Sequence, residues 1–190
     1  MSASTFCDAC PALERAEPDE IEGVPLLAAG RYASPWKEAI SRFKYGGHPE
    51  LGADLARSLS GELGALGIRR RDALVPVPLH PARLAERGYN QSALVARALA
   101  RAHDARFIPR LLERVHETAQ QAALDHAGRT DNVVGAFRVR QAIGSGRVIL
   151  VDDVVTTGAT VRACLRALSE NGVAVLAIAA LARAKRPETR

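Results

Sequence analysis

Aromatic residues are scarce in this chain of 190 residues, at 4% of the sequence. A surface that binds single-stranded nucleic acid by stacking bases depends on such side chains, so the composition disfavours that class of site. Cysteines number three, an odd count without the spacing of a disulfide framework, which indicates a reducing compartment. Apolar runs are short as well: the longest, residues 173–182, suits a strand rather than a membrane span.

The N-terminus lacks the basic and apolar blocks of a signal peptide, so we expect a cytoplasmic protein. What is present is a globular composition, with 47% hydrophobic and 25% charged residues and enough length for one sizeable core. The net charge is +5 and comes mainly from arginine, because the only lysines are Lys37, Lys44 and Lys185. A modest basic excess suits a phosphate-bearing small ligand and nucleic acid alike.

Short β-branched runs alternate along the chain with Leu- and Ala-rich segments of helical periodicity. Residues 73–77 and 148–151 predict strands, whereas residues 91–102 predict a helix. This alternation predicts an α/β fold, mainly a parallel sheet with helices on both faces. We expect an irregular segment over residues 1–22 and one domain over residues 23–190.

The most informative segment directly follows the predicted strand at residues 148–151. Two adjacent carboxylates come first, and a Thr-Thr-Gly-Ala-Thr turn then opens a helix. Gly158 permits a positive φ and a close backbone approach, and the amides at a helix start receive phosphate. Strand, acid pair, turn and helix in this order predict a sugar-phosphate site. Its residues are Asp152, Asp153, Val154, Val155, Thr156, Thr157, Gly158, Ala159 and Thr160.

The acid pair needs a partner of opposite charge or several donors. Two neighbouring carboxylates repel by roughly 1 kcal/mol even in water, and by more where water is scarce. Ribose hydroxyls would offset the repulsion, and so would Mg²⁺, which prefers oxygen ligands and keeps several waters. We therefore expect Asp152 and Asp153 to bind ribose hydroxyls and Mg²⁺. An ordinary strand end with an Asp-capped turn is the alternative, but it does not explain the turn and helix that follow.

A second charged loop follows the other predicted strand, which Pro76 and Pro78 should bring to an end. The loop carries three basic side chains: His80, Arg83 and Arg87. Because the carboxyl ends of parallel strands lie at one edge of a sheet, this loop and the acid pair should share a rim. Arginine binds anionic oxygens in bidentate fashion, so the loop predicts a site for a polyanion. A solvated basic loop is the alternative.

Together these motifs resemble the ComF family of competence-associated proteins, which carry a type I phosphoribosyltransferase domain. Residues 152–160 are similar to the loop of that superfamily that binds phosphoribosyl pyrophosphate (PRPP). Four further stretches carry the resemblance to the family: Phe-Lys-Tyr-Gly-Gly at 43–47, Pro-Val-Pro-Leu-His-Pro at 76–81, Arg-Gly-Tyr-Asn-Gln at 87–91, and residues 120–137. The resemblance covers nearly the whole chain.

The resemblance implies roles for the residues at these positions. PRPP would bind with Mg²⁺ at Asp152 and Asp153, and the turn at residues 156–160 would hold its 5-phosphate. Arg83 and Arg87 would neutralise the pyrophosphate, so these two and the acid pair form the predicted catalytic group, with His80 as a further ligand contact. The polar stretch at the position of the superfamily's flexible hood would add Gln120, Gln121 and Arg129. A polar surface loop is the alternative and explains the composition equally well.

The cysteines carry a separate expectation. Cys7 and Cys10 have the spacing of half a zinc site, and the family's N-terminal zinc finger is implied to have two such pairs. A structural zinc site needs four protein ligands, so we expect this chain alone to bind no zinc. Cys164, on the helix after the acid pair, is predicted to be a small core residue.

Three functions are open at this point. The resemblance implies a protein of DNA uptake that binds PRPP or a related phosphoribosyl ligand and works with proteins of the competence machinery. The alternative is an active phosphoribosyltransferase of nucleotide salvage with an unidentified acceptor. Because no residue is an evident general base, the sequence leaves turnover open. Direct binding of single-stranded DNA ranks third, since aromatic residues are few.

Overall fold

The computed structural model describes residues 16–115 and 135–185. The elements in chain order are β1 (Asp19–Ile21), β2 (Val24–Arg31), α1 (Trp36–Tyr45), α2 (Leu51–Ala65), β3 (Ala73–Pro76), α3 (Pro81–Arg87), α4 (Gln91–Ala102), β4 (Arg106–Phe107), β5 (Leu112–Arg114), β6 (Phe137–Val139), β7 (Val148–Val155), α5 (Ala159–Glu170) and β8 (Val175–Arg183). The predictions for Cys7 and Cys10, and for Gln120, Gln121 and Arg129, fall outside the described residues.

Six strands form one sheet in the order β1-β2-β8-β7-β3-β4. All neighbours are parallel except β1 and β2, which pair antiparallel at the edge. The short strands β5 and β6 form a separate antiparallel pair. The predicted α/β fold with a mainly parallel sheet is therefore confirmed.

Residues 19–21 are more ordered than the sequence predicts. They belong to the segment at residues 1–22 that we expect to be irregular, but they form β1, which pairs with β2 in the main sheet. The two strands form a hairpin because Glu22 and Gly23 both have positive φ, 53° and 75°, as a tight primed turn requires. Ile21 is 4% exposed, so this edge strand also contributes to the core.

Helices cover both faces of the sheet, as predicted. On one face, α1, α2 and α4 bury apolar side chains such as Phe43, Leu59 and Leu99 against Ile149 and Val151 of β7. The opposite face packs against α5 and the β5–β6 pair in a second apolar cluster. The predicted core residue Cys164 lies in that second cluster and is fully buried. No helix in residues 16–115 and 135–185 is long and apolar enough to cross a membrane.

A buried ion pair joins β3 and β7 at the ends where both strands begin. Asp72, with no exposed surface, accepts hydrogen bonds from Nη2 of Arg147 at 2.6 Å and from Nε at 3.2 Å. The Arg147 side chain and its backbone amide hold the pKa of the Asp72 carboxyl well below its usual range. This contact fixes the two central strands at one end, whereas the predicted site lies at the other.

The side on which the next strand is added to the sheet differs between β3 and β7. After β3 it passes through α3 and α4 to β4 on one side, and after β7 it passes through α5 to β8 on the other. The two connections therefore diverge to opposite faces, with α4 on one and α5 on the other. Such a switch point leaves a crevice at the carboxyl ends of the strands, where ligands of open α/β sheets bind.

Candidate functional site

The acid pair lies inside a strand rather than after it. We predicted a strand over residues 148–151, but β7 continues to Val155, since β8 goes on pairing with it opposite Asp152 and Val154. On its other side the pairing with β3 stops at Pro76 opposite Val151, where the prolines end that strand as expected. Asp152 and Asp153 therefore occupy a stretch with one edge hydrogen-bonded and the other facing the crevice.

Asp152 meets the first turn of α4. Its Oδ1 accepts a hydrogen bond from Oγ of Ser92 at 3.2 Å and another from the backbone amide of Asp153 at 2.8 Å. Burial, and next the charge on Asp153, raise the pKa of the Asp152 carboxyl to about 7. Burial therefore disfavours the charged form of Asp152 more than its hydrogen-bond partners stabilise it. Sequence reasoning missed Ser92, which carries no local signal of its contact with β7.

Asp153 meets the last turn of α1. Nζ of Lys44 lies 3.0 Å from its Oδ1, with 17% of the lysine side chain and 13% of the aspartate side chain exposed. By sequence, Lys44 belongs only to a stretch of family resemblance and has no predicted role in the site. Lys44 and Asp153 are more than a hundred residues apart in sequence, and only the packing of α1 on the sheet brings them together. No local pattern therefore predicts their contact.

The loop after β7 at residues 156–158, the predicted phosphate loop, has the backbone geometry that its glycine predicted. Gly158 has φ 80° and is the N-cap of α5, so Ala159 and Thr160 lie in the first helical turn. A Cβ at Gly158 would lie 3.0 Å from Cδ1 of Ile21 and 3.3 Å from Nη1 of Arg162. The first amides of α5 have no partner within the helix and point toward the loop.

Two arginines that the sequence analysis missed hold the carbonyl groups of this loop. Arg183, 8% exposed, donates from Nη1 to the carbonyl oxygens of Val155 and Thr156, and from Nε to Oδ2 of Asp19 at 2.7 Å. Arg162 donates to the carbonyl oxygen of Thr157 at 2.9 Å.

The direction of these carbonyl groups fixes the direction of the neighbouring amides. In a planar trans peptide the N–H points opposite to the C=O of the same unit. The amides of Thr156, Thr157 and Gly158 therefore each point away from the arginine that binds the carbonyl group of the same peptide unit. Backbone amides left open in this way, next to a helix N-terminus that favours negative charge, are able to bind an anion.

The basic loop after β3 forms the short helix α3. His80 is its N-cap, and its Nδ1 accepts a hydrogen bond from the amide of Ala82 at 3.3 Å, a structural role that sequence reasoning did not assign. Arg83 lies within α3 and Arg87 is its last residue. The helix therefore presents both predicted arginines on one connection between β3 and α4.

Arg87 is held from two sides. It donates to the hydroxyl of Tyr45 at 3.0 Å and to Oε1 of Gln91 at 3.3 Å, and its guanidinium carbon lies 4.8 Å from the centre of the Tyr45 ring. Since Tyr45 directly follows Lys44, the last turn of α1 reaches both the acid pair and α3. The structure thus places the two predicted halves of the site on either side of one helix end.

Mg²⁺ fits the donor set at the acid pair. The ion binds through one or two carboxylates together with waters and ligand phosphates, rather than in an all-protein cage. Asp152 and Asp153 would hold it, and a bound cation would stabilise the charged form of Asp152, which burial disfavours. Within residues 16–115 and 135–185, no three His, Cys, Asp or Glu side chains come together as a metal site, so water and ligand would supply the other contacts.

A cavity of about 530 Å³ lies at the carboxyl ends of β2 and β8. Its lining residues are Ala16, Glu17, Pro18, Asp19, Arg31, Arg183, Ala184 and Lys185. Arg183 lines this cavity and also binds carbonyl groups of the phosphate loop. The cavity therefore adjoins the loop on the side away from β3. A volume of this order accommodates a small organic ligand.

Comparisons with known proteins agree with this architecture. Residues 108–190 match the family model described as phosphoribosyl transferase domain. The DNA utilization protein YhgH of Escherichia coli (strain K12) is 32% identical over 162 residues, covering 83% of this chain and 71% of that protein. Competence protein F of Haemophilus influenzae is 33% identical over 168 residues, covering 84% and 72%. Competence protein ComFC of Bacillus subtilis is 31% identical over 143 residues, covering 75% and 57%.

These similarities and the fold place the chain in a family. It belongs to the ComF family of competence-associated proteins with a phosphoribosyltransferase domain, as its motifs predicted.

Asp152→Asn should stabilise the protein when no ligand is bound. The raised pKa means that above pH 7 the folded state carries a charge it disfavours, whereas below about pH 4 the carboxyl is neutral in both states. We expect a gain in unfolding free energy on the order of 1–3 kcal/mol at pH 8 that vanishes near pH 4. Urea unfolding in EDTA at both pH values measures it. Asp153→Asn, which also breaks the Lys44 pair, should gain less, and a loss of stability for Asp152→Asn at pH 8 would contradict the account.

Gly158→Ala should disrupt the phosphate loop. The positive φ and the contact with Ile21 should cost about 1–3 kcal/mol of stability, and the displaced amides should bind ribose 5-phosphate at least tenfold more weakly. Gly61→Ala in α2 is the matched control, because its Cβ would meet open space in a helix and should be neutral or stabilising. Thermal unfolding and isothermal titration check both effects. Unchanged ribose 5-phosphate affinity in a folded Gly158→Ala protein would refute the role of the loop.

Proposed function

We propose that this protein binds PRPP, or a closely related 5-phosphoribosyl ligand, together with Mg²⁺ at the crevice between β3 and β7. The observation that carries the proposal is the loop after β7, where Arg162 and Arg183 hold three successive carbonyl groups. The amides of Thr156, Thr157 and Gly158 are thereby turned to the other side, beside the start of α5. A terminal phosphate is the group that best matches such an array.

The acid pair supports the sugar part of the ligand. Asp152 and Asp153 lie on β7, and two residues separate them from the loop at Thr156 that would hold the 5-phosphate. Ribose hydroxyls donate hydrogen bonds, and carboxylates accept them. Mg²⁺, when bound, would neutralise the carboxylates and bridge them to ligand oxygens.

The basic connection after β3 supports a ligand with a second anionic group. Arg83 and Arg87 lie on α3, across the crevice from the phosphate loop, and the Arg87 guanidinium is positioned by Tyr45 and Gln91. A pyrophosphate on the anomeric carbon would extend toward α3 from a ribose held at the acid pair. Charge-assisted bonds from a positioned guanidinium are among the stronger contacts to phosphate oxygens.

The biological setting is proposed from the relatives. Their names refer to competence and to DNA utilization. We propose that this chain has a role in the same processes, with proteins of the competence machinery as partners. Binding of a phosphoribosyl ligand without turnover would suit a sensor or adaptor, because a phosphate site by itself does not imply a reaction.

A phosphoribosyltransferase of nucleotide salvage is the second candidate function, and the match of residues 108–190 to the phosphoribosyl transferase domain favours it. Attack on the anomeric carbon would release pyrophosphate, and Arg83 and Arg87 would stabilise the charge that develops on it. Catalysis would then rest on positioning and electrostatics. Pyrophosphate release in the presence of different nucleobases distinguishes a transferase from a binding protein.

The joint variant Arg83→Ala with Arg87→Ala tests the orientation of the ligand. PRPP and ribose 5-phosphate share the 5-phosphate, but PRPP alone carries the pyrophosphate that α3 would contact. Each lost charge-assisted bond is worth roughly 1.5–3 kcal/mol, so PRPP affinity should fall at least tenfold while ribose 5-phosphate affinity stays close to wild type. Isothermal titration of both ligands with Mg²⁺ measures the ratio.

Arg57→Ala is the matched control for that variant, because Arg57 lies on α2 and pairs with Asp54 at the surface. It should leave both affinities unchanged. A ratio of PRPP to ribose 5-phosphate affinity that is the same in the double variant and the wild type would remove the pyrophosphate role. A short single-stranded oligonucleotide tested on the same proteins shows whether the arginines serve DNA instead.

A further inference from the structure

The last turn of α1 contacts three separate parts of the site through three consecutive residues. The carbonyl oxygen of Phe43 accepts a hydrogen bond from the hydroxyl of Tyr89, which follows α3. Nζ of Lys44 pairs with Asp153 on β7, and the hydroxyl of Tyr45 accepts from Arg87 at the end of α3. The Phe-Lys-Tyr segment, which the function described so far leaves without a role, is therefore a wall of the crevice.

The three residues are held to different extents. The Phe43 side chain has no exposed surface, and its carbonyl group is held by Tyr89. Tyr45 is 68% exposed and contacts the guanidinium of Arg87 with its ring and its hydroxyl. The ammonium group of Lys44 is joined to the helix by four flexible methylene groups and pairs with Asp153, so it can change partner without moving the helix.

The ammonium group of Lys44 competes with a divalent cation for the same carboxylate. It lies 3.0 Å from Oδ1 of Asp153, and both side chains are largely removed from water. A lysine ammonium and Mg²⁺ cannot both approach one carboxylate oxygen so closely, because they repel each other strongly where water is scarce. Entry of the metal therefore requires Lys44 to leave.

We propose that Lys44 is a tethered counter-ion, which neutralises the acid pair while the crevice is empty and moves onto the pyrophosphate when Mg²⁺ and PRPP enter. The proposal rests on the function proposed above. The place it moves to follows from its neighbours: Lys44 pairs with Asp153, and the next residue, Tyr45, contacts Arg87 of α3, so a released ammonium would meet an anionic group bound beside Arg87. Lys44 is thus a positioning residue that couples cation entry to polyanion binding.

Lys44→Met tests the competition without any phosphoribosyl ligand. Mn²⁺ serves as the probe, and electron paramagnetic resonance counts the bound ion. We expect Lys44→Met to bind Mn²⁺ at least tenfold more tightly than the wild type, and Lys44→Arg to bind it as weakly as the wild type. Adding Asp153→Asn to Lys44→Met should abolish the gain. Lys37→Met is the matched control, because Lys37 lies two turns earlier on α1 and is exposed.

The affinity for PRPP tests the second half of the proposal, the move of Lys44 onto the pyrophosphate. With saturating Mg²⁺, Lys44→Met should lose about tenfold in PRPP affinity and keep its affinity for ribose 5-phosphate, whereas Lys44→Arg should restore PRPP binding. Circular dichroism and thermal unfolding check that each variant is folded. If Lys44→Met destabilises the chain, Lys44→Arg still tests the proposal, because it keeps the positive charge.

The outcomes separate this inference from the function on which it rests. Unchanged Mn²⁺ affinity in a folded Lys44→Met protein overturns the inference, whatever PRPP does. Equal losses of PRPP and ribose 5-phosphate affinity overturn the transfer of Lys44 to the pyrophosphate. If no protein, wild type included, binds PRPP while Mn²⁺ binding still rises in Lys44→Met, the proposed function falls and the counter-ion role of Lys44 stands.

Discussion

Two carboxylates on consecutive residues of a central strand must be neutralised, and the rest of the site is arranged around that requirement. Asp152 and Asp153 lie on β7 where β3 has already ended, and burial disfavours the charge on Asp152. Ser92 and Lys44 offset part of this cost, yet the pKa of Asp152 stays near 7. A carboxyl with so perturbed a pKa, in a crevice, is the kind of group found at functional sites, and it supports the proposal of a cation and hydroxyl donors there.

Beyond the acid pair, β7 leads into the loop that would hold the 5-phosphate of the proposed ligand. Beyond Val155 the backbone turns so that its carbonyl groups meet Arg162 and Arg183 and its amides face away from them. Arg87 offers a second positive region on α3, on the far side of the gap left by the short β3. Positive, negative and positive regions thus follow one another along the crevice, which is the charge pattern that complements a sugar carrying phosphate at both ends.

Local order in the sequence made part of this predictable. Strand, acid pair, Thr-Thr-Gly turn and helix are contiguous, so the phosphate loop and the positive φ of Gly158 followed from short-range rules. The contacts of Lys44 and Ser92 with the acid pair, and of Arg183 with the loop, depend on how distant elements pack, and no local pattern encodes them. The strand β1 was missed for a different reason: three residues carry too little periodicity to stand out from an irregular segment.

Titration of PRPP into the wild-type chain and into the double variant Asp152→Asn with Asp153→Asn tests the central claim most directly. Each protein is measured by isothermal titration, once with Mg²⁺ and once with EDTA. If the acid pair holds the ribose and the metal, the wild type binds PRPP in Mg²⁺, and its affinity falls at least tenfold in EDTA. The double variant should bind PRPP at least tenfold more weakly than the wild type in Mg²⁺, whichever buffer is used for the variant. Equal PRPP affinity of the wild type and the folded double variant in Mg²⁺ would contradict the account.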